Sequence, residues 1–176
     1  NTTQVQRKLL REKIQANYKS HEEVVCDSYS TETAISRLKM ALLCTVTKAG
    51  KESEIGNICL KIDWLYQDLA DELDENSSDY ENKKENYLAE AHNFAMNAYE
   101  HLSKARMEEA FPIAGMNETT LDYLLSYLGY VKGEYQTAMQ YLSGVVSTRG
   151  ISPRLKDKCL ELKELLNQKL HASADQ

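Results

Sequence analysis

The chain has 176 residues, the length of one ordinary domain, and its 42% hydrophobic and 27% charged residues exclude an intrinsically disordered protein. The net charge of −6 and the lack of a basic run in the sequence argue against a nucleic-acid partner. No apolar stretch approaches the ~20 residues that span a bilayer, so we expect no membrane partner.

Long stretches of the chain are free of the residues that interrupt helices, since it contains only seven glycines and two prolines. Apolar residues recur in these stretches with helical spacing. They predict seven helices, at residues 3–25, 31–48, 54–73, 84–109, 118–132, 135–147 and 153–170. Connections as short as "VKGEY" require neighbouring helices to be antiparallel. The predicted fold class is all-α, with stacked antiparallel helical hairpins.

Two of the predicted helices have clear start signals. Asn117 is placed to cap the helix that follows it, and Met116 and Leu121 have the spacing of a hydrophobic staple. Ser152 is placed to cap the last helix, with Pro153 at the first helical position, where its missing N–H costs nothing.

The last predicted helix has one apolar face and one charged face. The apolar face carries Leu155, Cys159, Leu162 and Leu166. A helix of this kind buries one side and keeps the other in water, as a capping helix does. We expect one domain over residues 1–170, followed by a frayed tail at 171–176.

Small and apolar residues recur along the chain with one rhythm. The three sets, spaced by four and then three residues, are Ala34–Leu38–Ala41, Ala91–Ala95–Ala98 and Ala138–Leu142–Val145. Small residues at this spacing let a helix approach its neighbour closely, as stacked hairpins require. We favour a repeat over the alternative, a plain helical bundle with alanine-rich contacts.

The stretch "VKGEYQTAMQYLSGVV" resembles the second half of a tetratricopeptide motif. Gly133, Tyr135 and Ala138 stand at the expected places, and Leu125 and Ser126 stand at the contact of the preceding helix. The resemblance implies a tetratricopeptide-like fold.

A second resemblance is more specific. The segments "AISRLKMAL", "CLKIDWLYQDLADE" and "FPIAGMNETTLDYL", followed by "GEYQTAMQYLSGVVSTRGISPRLKD", are similar to the helical half of an uncharacterised bacterial family, domain of unknown function 2225. The similarity covers about residues 33–160. It implies an upstream zinc-ribbon-like cysteine segment, so we expect a chain that begins with Asn1 to be a fragment.

Patterns for enzymatic chemistry are missing from the sequence. The histidines His21, His92, His101 and His171 belong to no HExxH or Glu-x-x-His pair, and no GxSxG or phosphate-binding glycine loop occurs. We therefore expect no enzyme, no cofactor and no metal.

The four cysteines, Cys26, Cys44, Cys59 and Cys159, form no CxxC pair. At least the last three fall among apolar helical positions, where a free cysteine acts as a small buried hydrophobe. They predict reduced core thiols in a cytoplasmic protein.

One acidic stretch, "DENSSDYENKKE", partly matches a calcium loop of the EF-hand type. Its matching places are Asp74, Asn76, Ser78 and Glu85. The sixth place, which needs glycine for a sharp turn, is Asp79, and the apolar eighth place is Glu81. We favour a solvated connector.

The leading functional hypothesis is a non-catalytic scaffold that binds a protein or peptide. By the tetratricopeptide resemblance, the residues facing the partner are Thr120, Tyr123, Tyr127 and Tyr130. The alternative is that this tyrosine stripe packs inside the protein, as such stripes usually do. A second hypothesis is a regulatory or dimerising module of a larger protein whose zinc-ribbon segment binds nucleic acid or another factor. A third is a small helical enzyme.

We expect Trp64 to be a buried anchor.

Overall fold

The structure of the protein is a computed structural model, of which residues 7–10 and 30–174 are described. Its helices are α1 (Thr31–Thr47), α2 (Glu52–Asp71), α3 (Tyr80–Glu108), α4 (Glu118–Lys132), α5 (Tyr135–Val146) and α6 (Pro153–Ala174). Residues 7–10 are also helical; the rest of the helix predicted over 3–25 lies outside the described residues. The predicted all-α class is confirmed.

The helix ends follow local signals in the sequence. Asn117 caps α4, since its side-chain oxygen accepts from the Thr120 N–H at 2.9 Å. Ser152 caps α6 in the same way, accepting from the Leu155 N–H at 3.2 Å. Both predicted caps are confirmed. The helix predicted to stop at residue 170 continues to Ala174, so most of the tail expected at 171–176 is helical.

The described chain packs as two compact units, and the single domain expected over residues 1–170 stays a prediction. One unit contains residues 30–109 and the other contains 110–174 together with 7–10. In the first unit, α2 packs on both α1 and α3; in the second, α5 packs on both α4 and α6. Because the connections are short, successive helices within a unit are antiparallel.

The first unit is centred on α2, which is buried on opposite sides. Ile62 and Tyr66 belong to a core cluster with Ile35 of α1 and Ala91 of α3. Trp64 lies two residues from both Ile62 and Tyr66, which places it about 200° round the helix from them. Only 5% of the Trp64 surface is exposed. The predicted burial of Trp64 is confirmed.

The spacing of small and apolar residues predicts close packing on α1, α3 and α5, and the structure shows it throughout α3 and α5 but only in part on α1. Its buried members on α3 and α5 are Ala91, Ala95, Ala98, Ala138, Leu142 and Val145. On α1, Ala34 is buried but Ala41 is exposed. Ala41 lies two turns after Ala34 on the same side of the helix, so the difference arises because only the N-terminal part of that side of α1 is buried.

Gly56 marks the closest approach of α2 to α3. A Cβ atom on Gly56 would lie 2.7 Å from Leu102 Cγ and 3.2 Å from the Leu102 backbone nitrogen. These separations are shorter than van der Waals contact. Since the backbone of α3 is part of the obstruction, a side chain at Gly56 requires the two helices to move apart.

Gly56→Ala is therefore expected to destabilise the protein by about 1–3 kcal/mol through overpacking. Gly144→Ala is the matched control, because Gly144 is also helical but has nothing within 4 Å of a Cβ. This control should raise stability by up to about 1 kcal/mol through helix propensity. Urea denaturation measures both changes, and a stabilising Gly56→Ala would contradict the close approach.

The segment "FPIAGM" forms a tight turn in the second unit. Ile113 and Met116 exchange two backbone hydrogen bonds, of 3.0 and 2.8 Å. Ala114 and Gly115 between them have φ angles of 50° and 74°, the left-handed geometry of a type I′ turn. The turn buries the Ile113 and Met116 side chains almost completely, so this short motif anchors the start of α4.

The cysteines separate into two kinds. Cys59 and Cys159 are buried free thiols, as predicted, and burial raises the pKa of Cys59 from 9.0 to about 11. Cys44 is free but exposed, so its predicted core position is wrong. It lies on the side of α1 opposite the buried Ile35. Cys26 is outside the described residues.

Candidate functional site

The α4–α5 hairpin carries the predicted partner-binding residues. Gly133 ends α4 with a φ of 96°, and its N–H donates to the Gly129 carbonyl at 3.0 Å. The Glu134 N–H donates to the same carbonyl at 2.9 Å. Only glycine adopts this left-handed position without strain. The turn glycine expected at 133 is confirmed.

A buried hydrogen bond joins the two helices of the hairpin. The Ser126 hydroxyl donates to the Ala138 carbonyl at 2.7 Å, and both side chains have no exposed surface. The absence of a bulky side chain at either residue lets the helix axes approach. Ser126 and Ala138 are two of the positions that resemble the tetratricopeptide motif, and the structure brings them into direct contact.

The structure buries most of the tyrosine stripe. Thr120 and Tyr123 are buried, and Tyr127 is 9% exposed. Tyr130, one turn further along α4, is partly exposed. This burial agrees with the packing alternative for the first three residues rather than with an open groove. Their assignment to a partner stays a prediction, and Tyr130 is the member of the stripe that retains an accessible surface.

The Tyr123 hydroxyl is a buried polar group that makes no hydrogen bond within the described structure. Burial raises the pKa of Tyr123 above its usual range, and the negative charges that Cys159, Tyr127 and Glu161 can carry add to the effect. Tyr123 therefore remains a neutral phenol. An unpaired buried hydroxyl opposes folding. Any stability that Tyr123 contributes must therefore come from the burial of its aromatic ring.

Tyr130 pairs with the first residue of α5. The ring centres of Tyr130 and Tyr135 lie 6.0 Å apart with an angle of 52° between the ring planes. Both side chains are partly exposed, and Lys132 and Glu134 form a 3.0 Å ion pair on the turn between them. The hairpin turn thus presents an aromatic pair with a charged pair beside it.

The acidic loop does not form an EF-hand. Its seventh place, Tyr80, already begins α3, so residues 80–85 are helical. The Asp79 carboxylate accepts from the Ser77 hydroxyl and lies 3.1 Å from the Lys83 ammonium. The Ser77 hydrogen bond, followed by that with Lys83, lowers the pKa of Asp79. Across the described ranges, no group of three or more His, Cys, Asp or Glu side chains could hold a metal ion.

A polar contact that the sequence analysis missed joins the ends of α2 and α3. The Glu109 carboxylate accepts from the Ser53 N–H at 3.0 Å and from the Ser53 hydroxyl at 2.6 Å. Beside it, His101 contacts the Glu52 carboxylate. The carboxylate satisfies an N–H of the first turn of α2. Glu109 lies just beyond the last residue of α3 and caps the first turn of α2 from there. No local sequence signal indicates this capping role.

None of the described helices is both long enough and apolar enough to cross a membrane. The fold places the protein in the class of all-α proteins built from paired antiparallel helices. The family described as "Uncharacterized protein conserved in bacteria (DUF2225)" matches residues 1–166, and the chain belongs to that family. This confirms the resemblance and extends it beyond residues 33–160. No curated protein and no solved structure matches the chain.

Proposed function

We propose that the protein is a non-catalytic, tetratricopeptide-like scaffold that binds a protein or peptide partner in the cytoplasm. The observation that carries the proposal is the construction of the α4–α5 hairpin. The Ser126–Ala138 hydrogen bond and the Gly133 turn hold the two helices together, while the Tyr130–Tyr135 pair stays partly exposed. The buried thiols Cys59 and Cys159 fit a reducing compartment.

The aromatic pair is chemically suited to a peptide. Tyrosine supplies a large contact area with few rotatable bonds, so little conformational entropy is lost on binding. Its hydroxyl can bond to a peptide backbone at a surface that remains wet. Because Tyr130 and Tyr135 are held at the two ends of a tight turn, their arrangement exists before the partner arrives, which reduces the cost of binding.

A capture experiment tests the proposal. The chain, Tyr130→Ala and Gln140→Ala are immobilised separately and exposed to a lysate of the native bacterial host. Gln140 is an exposed residue of the same hairpin, on α5, and serves as the matched control. We expect a protein that the unchanged chain and Gln140→Ala retain and that Tyr130→Ala retains at least about tenfold less, the effect of losing a binding hot spot.

The captured protein must then bind the purified chain directly, by calorimetry. Circular dichroism establishes that Tyr130→Ala is folded. Equal retention by the chain and Tyr130→Ala would contradict the assignment of Tyr130 to the binding surface. Failure of the purified chain to bind any captured protein would contradict the scaffold proposal itself.

A second candidate function is a dimerising or regulatory module of a larger protein. One observation favours it, since α1 exposes three large apolar side chains, at Met40, Leu43 and Val46. Any zinc-ribbon segment of that larger protein rests on family resemblance. Zinc analysis and DNA- and RNA-binding assays on the longer protein test this candidate, and binding of either nucleic acid would favour it over the scaffold.

A further inference from the structure

Helix α1 is the least buried of the three helices described in the first unit. Two of its 17 residues, Ala34 and Ile35, are buried, and both lie near its N-terminal end. From Ser36 to Thr47 every residue keeps part of its surface accessible to solvent. In contrast, α2 buries 12 of its 20 residues, and α3 buries six of its 29. An element with few buried contacts opens at a lower free energy than the core of its fold.

A cationic side chain fastens the middle of α1 to the other two helices. The Lys39 ammonium lies 2.6 Å from the Tyr66 hydroxyl of α2 and 5.1 Å from the centre of the Tyr66 ring. It also lies 5.8 Å from the centre of the Phe94 ring of α3. Both ring distances are within the range of cation–π attraction. Since Lys39 is exposed, this contact can break without leaving a charge buried. We call Lys39, Tyr66 and Phe94 the α1 latch.

The latch lies over the apolar core of the first unit. Ile62 and Tyr66 of α2 belong to one buried cluster with Ile35 of α1. Leu38 and Leu42 of α1 are partly buried and pack against the same cluster. These side chains of α1 therefore form part of the cover over α2, and movement of α1 away from α2 would expose Ile62 and Tyr66 to water.

The C-terminal end of α1 is strained. Ala49 has a φ angle of 52°, in the left-handed region that a residue with a Cβ atom rarely adopts. The Ala49 N–H donates to the Val46 carbonyl at 3.1 Å, and the Gly50 N–H donates to the Thr45 carbonyl at 2.8 Å. This is the Schellman pattern, in which glycine is usual at the position of Ala49. Unwinding of α1 relieves the strain, so the turn favours opening.

We propose that α1 is a strap that opens by local unfolding, independently of the α2–α3 hairpin, and that the α1 latch sets how often it opens. The closed strap covers Ile62 and Tyr66, and the open strap exposes them. The first unit thus has two states that differ in the apolar surface they present. The device uses no residue of the Tyr130–Tyr135 hairpin and does not depend on the scaffold proposal.

Residue-resolved hydrogen exchange of the folded chain tests the strap. After correction for intrinsic exchange rates, the amides of α1 should exchange at least about tenfold faster than the most protected amides of α2 and α3. Circular dichroism checks that the chain and each variant are folded. Equal protection of the three helices would overturn the proposal, because α1 would then open only when the whole unit unfolds.

Substitutions in the latch test its role. Tyr66→Phe removes the hydroxyl that the Lys39 ammonium contacts and keeps the ring. It should speed the exchange of α1 amides about three- to tenfold, the effect of losing one hydrogen bond. Tyr87→Phe is the matched control, because the Tyr87 ring lies 6.3 Å from the Tyr66 ring and its hydroxyl has no hydrogen-bond partner among the described residues.

Lys39→Ala should match or exceed the effect of Tyr66→Phe. The double variant should exchange like Lys39→Ala alone, since both substitutions remove the same contact. Equal effects of Tyr66→Phe and Tyr87→Phe, or additive effects of Lys39→Ala and Tyr66→Phe, would overturn the latch.

Gly56→Ala separates opening of the strap from a general loss of stability. The α2–α3 contact at Gly56 is present whether the strap is closed or open. Its disruption should therefore speed the exchange of the most protected α2 and α3 amides and leave that of the α1 amides unchanged. An equal acceleration in all three helices would show that α1 does not open independently, and would overturn the strap.

One substitution made at two alanines tests the strained turn. Ala49→Gly relieves the left-handed strain and should slow the exchange of α1 amides about two- to tenfold. Ala41→Gly, at an exposed position within α1, should speed it about two- to fivefold, because glycine destabilises the interior of a helix. An Ala49→Gly chain that exchanges faster than the unchanged chain would overturn the contribution of the turn to opening.

Discussion

Trp64→Ala is expected to lower the free energy of unfolding by about 3–5 kcal/mol, the range for removing a buried aromatic side chain. Only 5% of the Trp64 surface is exposed. Its loss leaves a cavity beside α2, the helix that packs on both neighbours in its unit. Urea denaturation followed by circular dichroism measures the change, because the variant lacks the only tryptophan and cannot be followed by its fluorescence.

Two further variants bracket this result. Met107→Ala, in the same unit but 85% exposed, should change stability by no more than about 0.5 kcal/mol. Trp64→Phe retains part of the aromatic packing and should fall between the two. A loss below about 0.5 kcal/mol for Trp64→Ala would show that the indole is not an anchor of this unit.

Helix ends were predictable because their causes are local. The Asn117 and Ser152 caps each depend on one side chain and an N–H three residues later. Gly133 likewise follows from the need for a left-handed residue after α4. Such signals operate within one turn of helix, so they can be read from a short stretch of sequence without knowledge of the tertiary structure.

The direction in which each helix faces was only partly predictable. Helical periodicity placed Ile62 in the core, whereas the burial of Trp64 on the opposite side of α2 was predicted only from the size of its aromatic side chain. On α1 the same periodicity placed Ala41 and Cys44 inside, and both are exposed. The number of neighbours that a helix has is a property of the tertiary arrangement, which an apolar pattern does not encode.

Contacts between distant residues were the least predictable. The Glu109 carboxylate bonds to Ser53, which is 56 residues away. The Lys39 ammonium of α1 lies 2.6 Å from the Tyr66 hydroxyl of α2. Both contacts satisfy polar groups at positions that become neighbours only when the helices pack. For the candidate site, the sequence identified the tyrosine stripe but could not distinguish a packed side chain from a groove.

Tyr127→Ala decides between those two roles for the stripe. With 9% of its surface exposed, Tyr127 is expected to behave as a core residue, and its truncation should cost about 3 kcal/mol or more. Urea denaturation followed by circular dichroism provides the measurement. A loss within about 0.5 kcal/mol, with weakened binding of a captured partner, would instead place Tyr127 in a groove.

Tyr130→Ala and Tyr123→Phe make this test specific for packing. Tyr130 lies on the same helix but is partly exposed, so its truncation should cost clearly less than that of Tyr127. Tyr123→Phe keeps the buried ring and removes a hydroxyl that has no hydrogen-bond partner in the described structure. Its effect should range from neutral to about 1 kcal/mol stabilising, since the unpaired group no longer has to be desolvated. A destabilising Tyr123→Phe would mean that the hydroxyl has a partner in solution, and that part of the stripe has a polar role which burial of the rings does not explain.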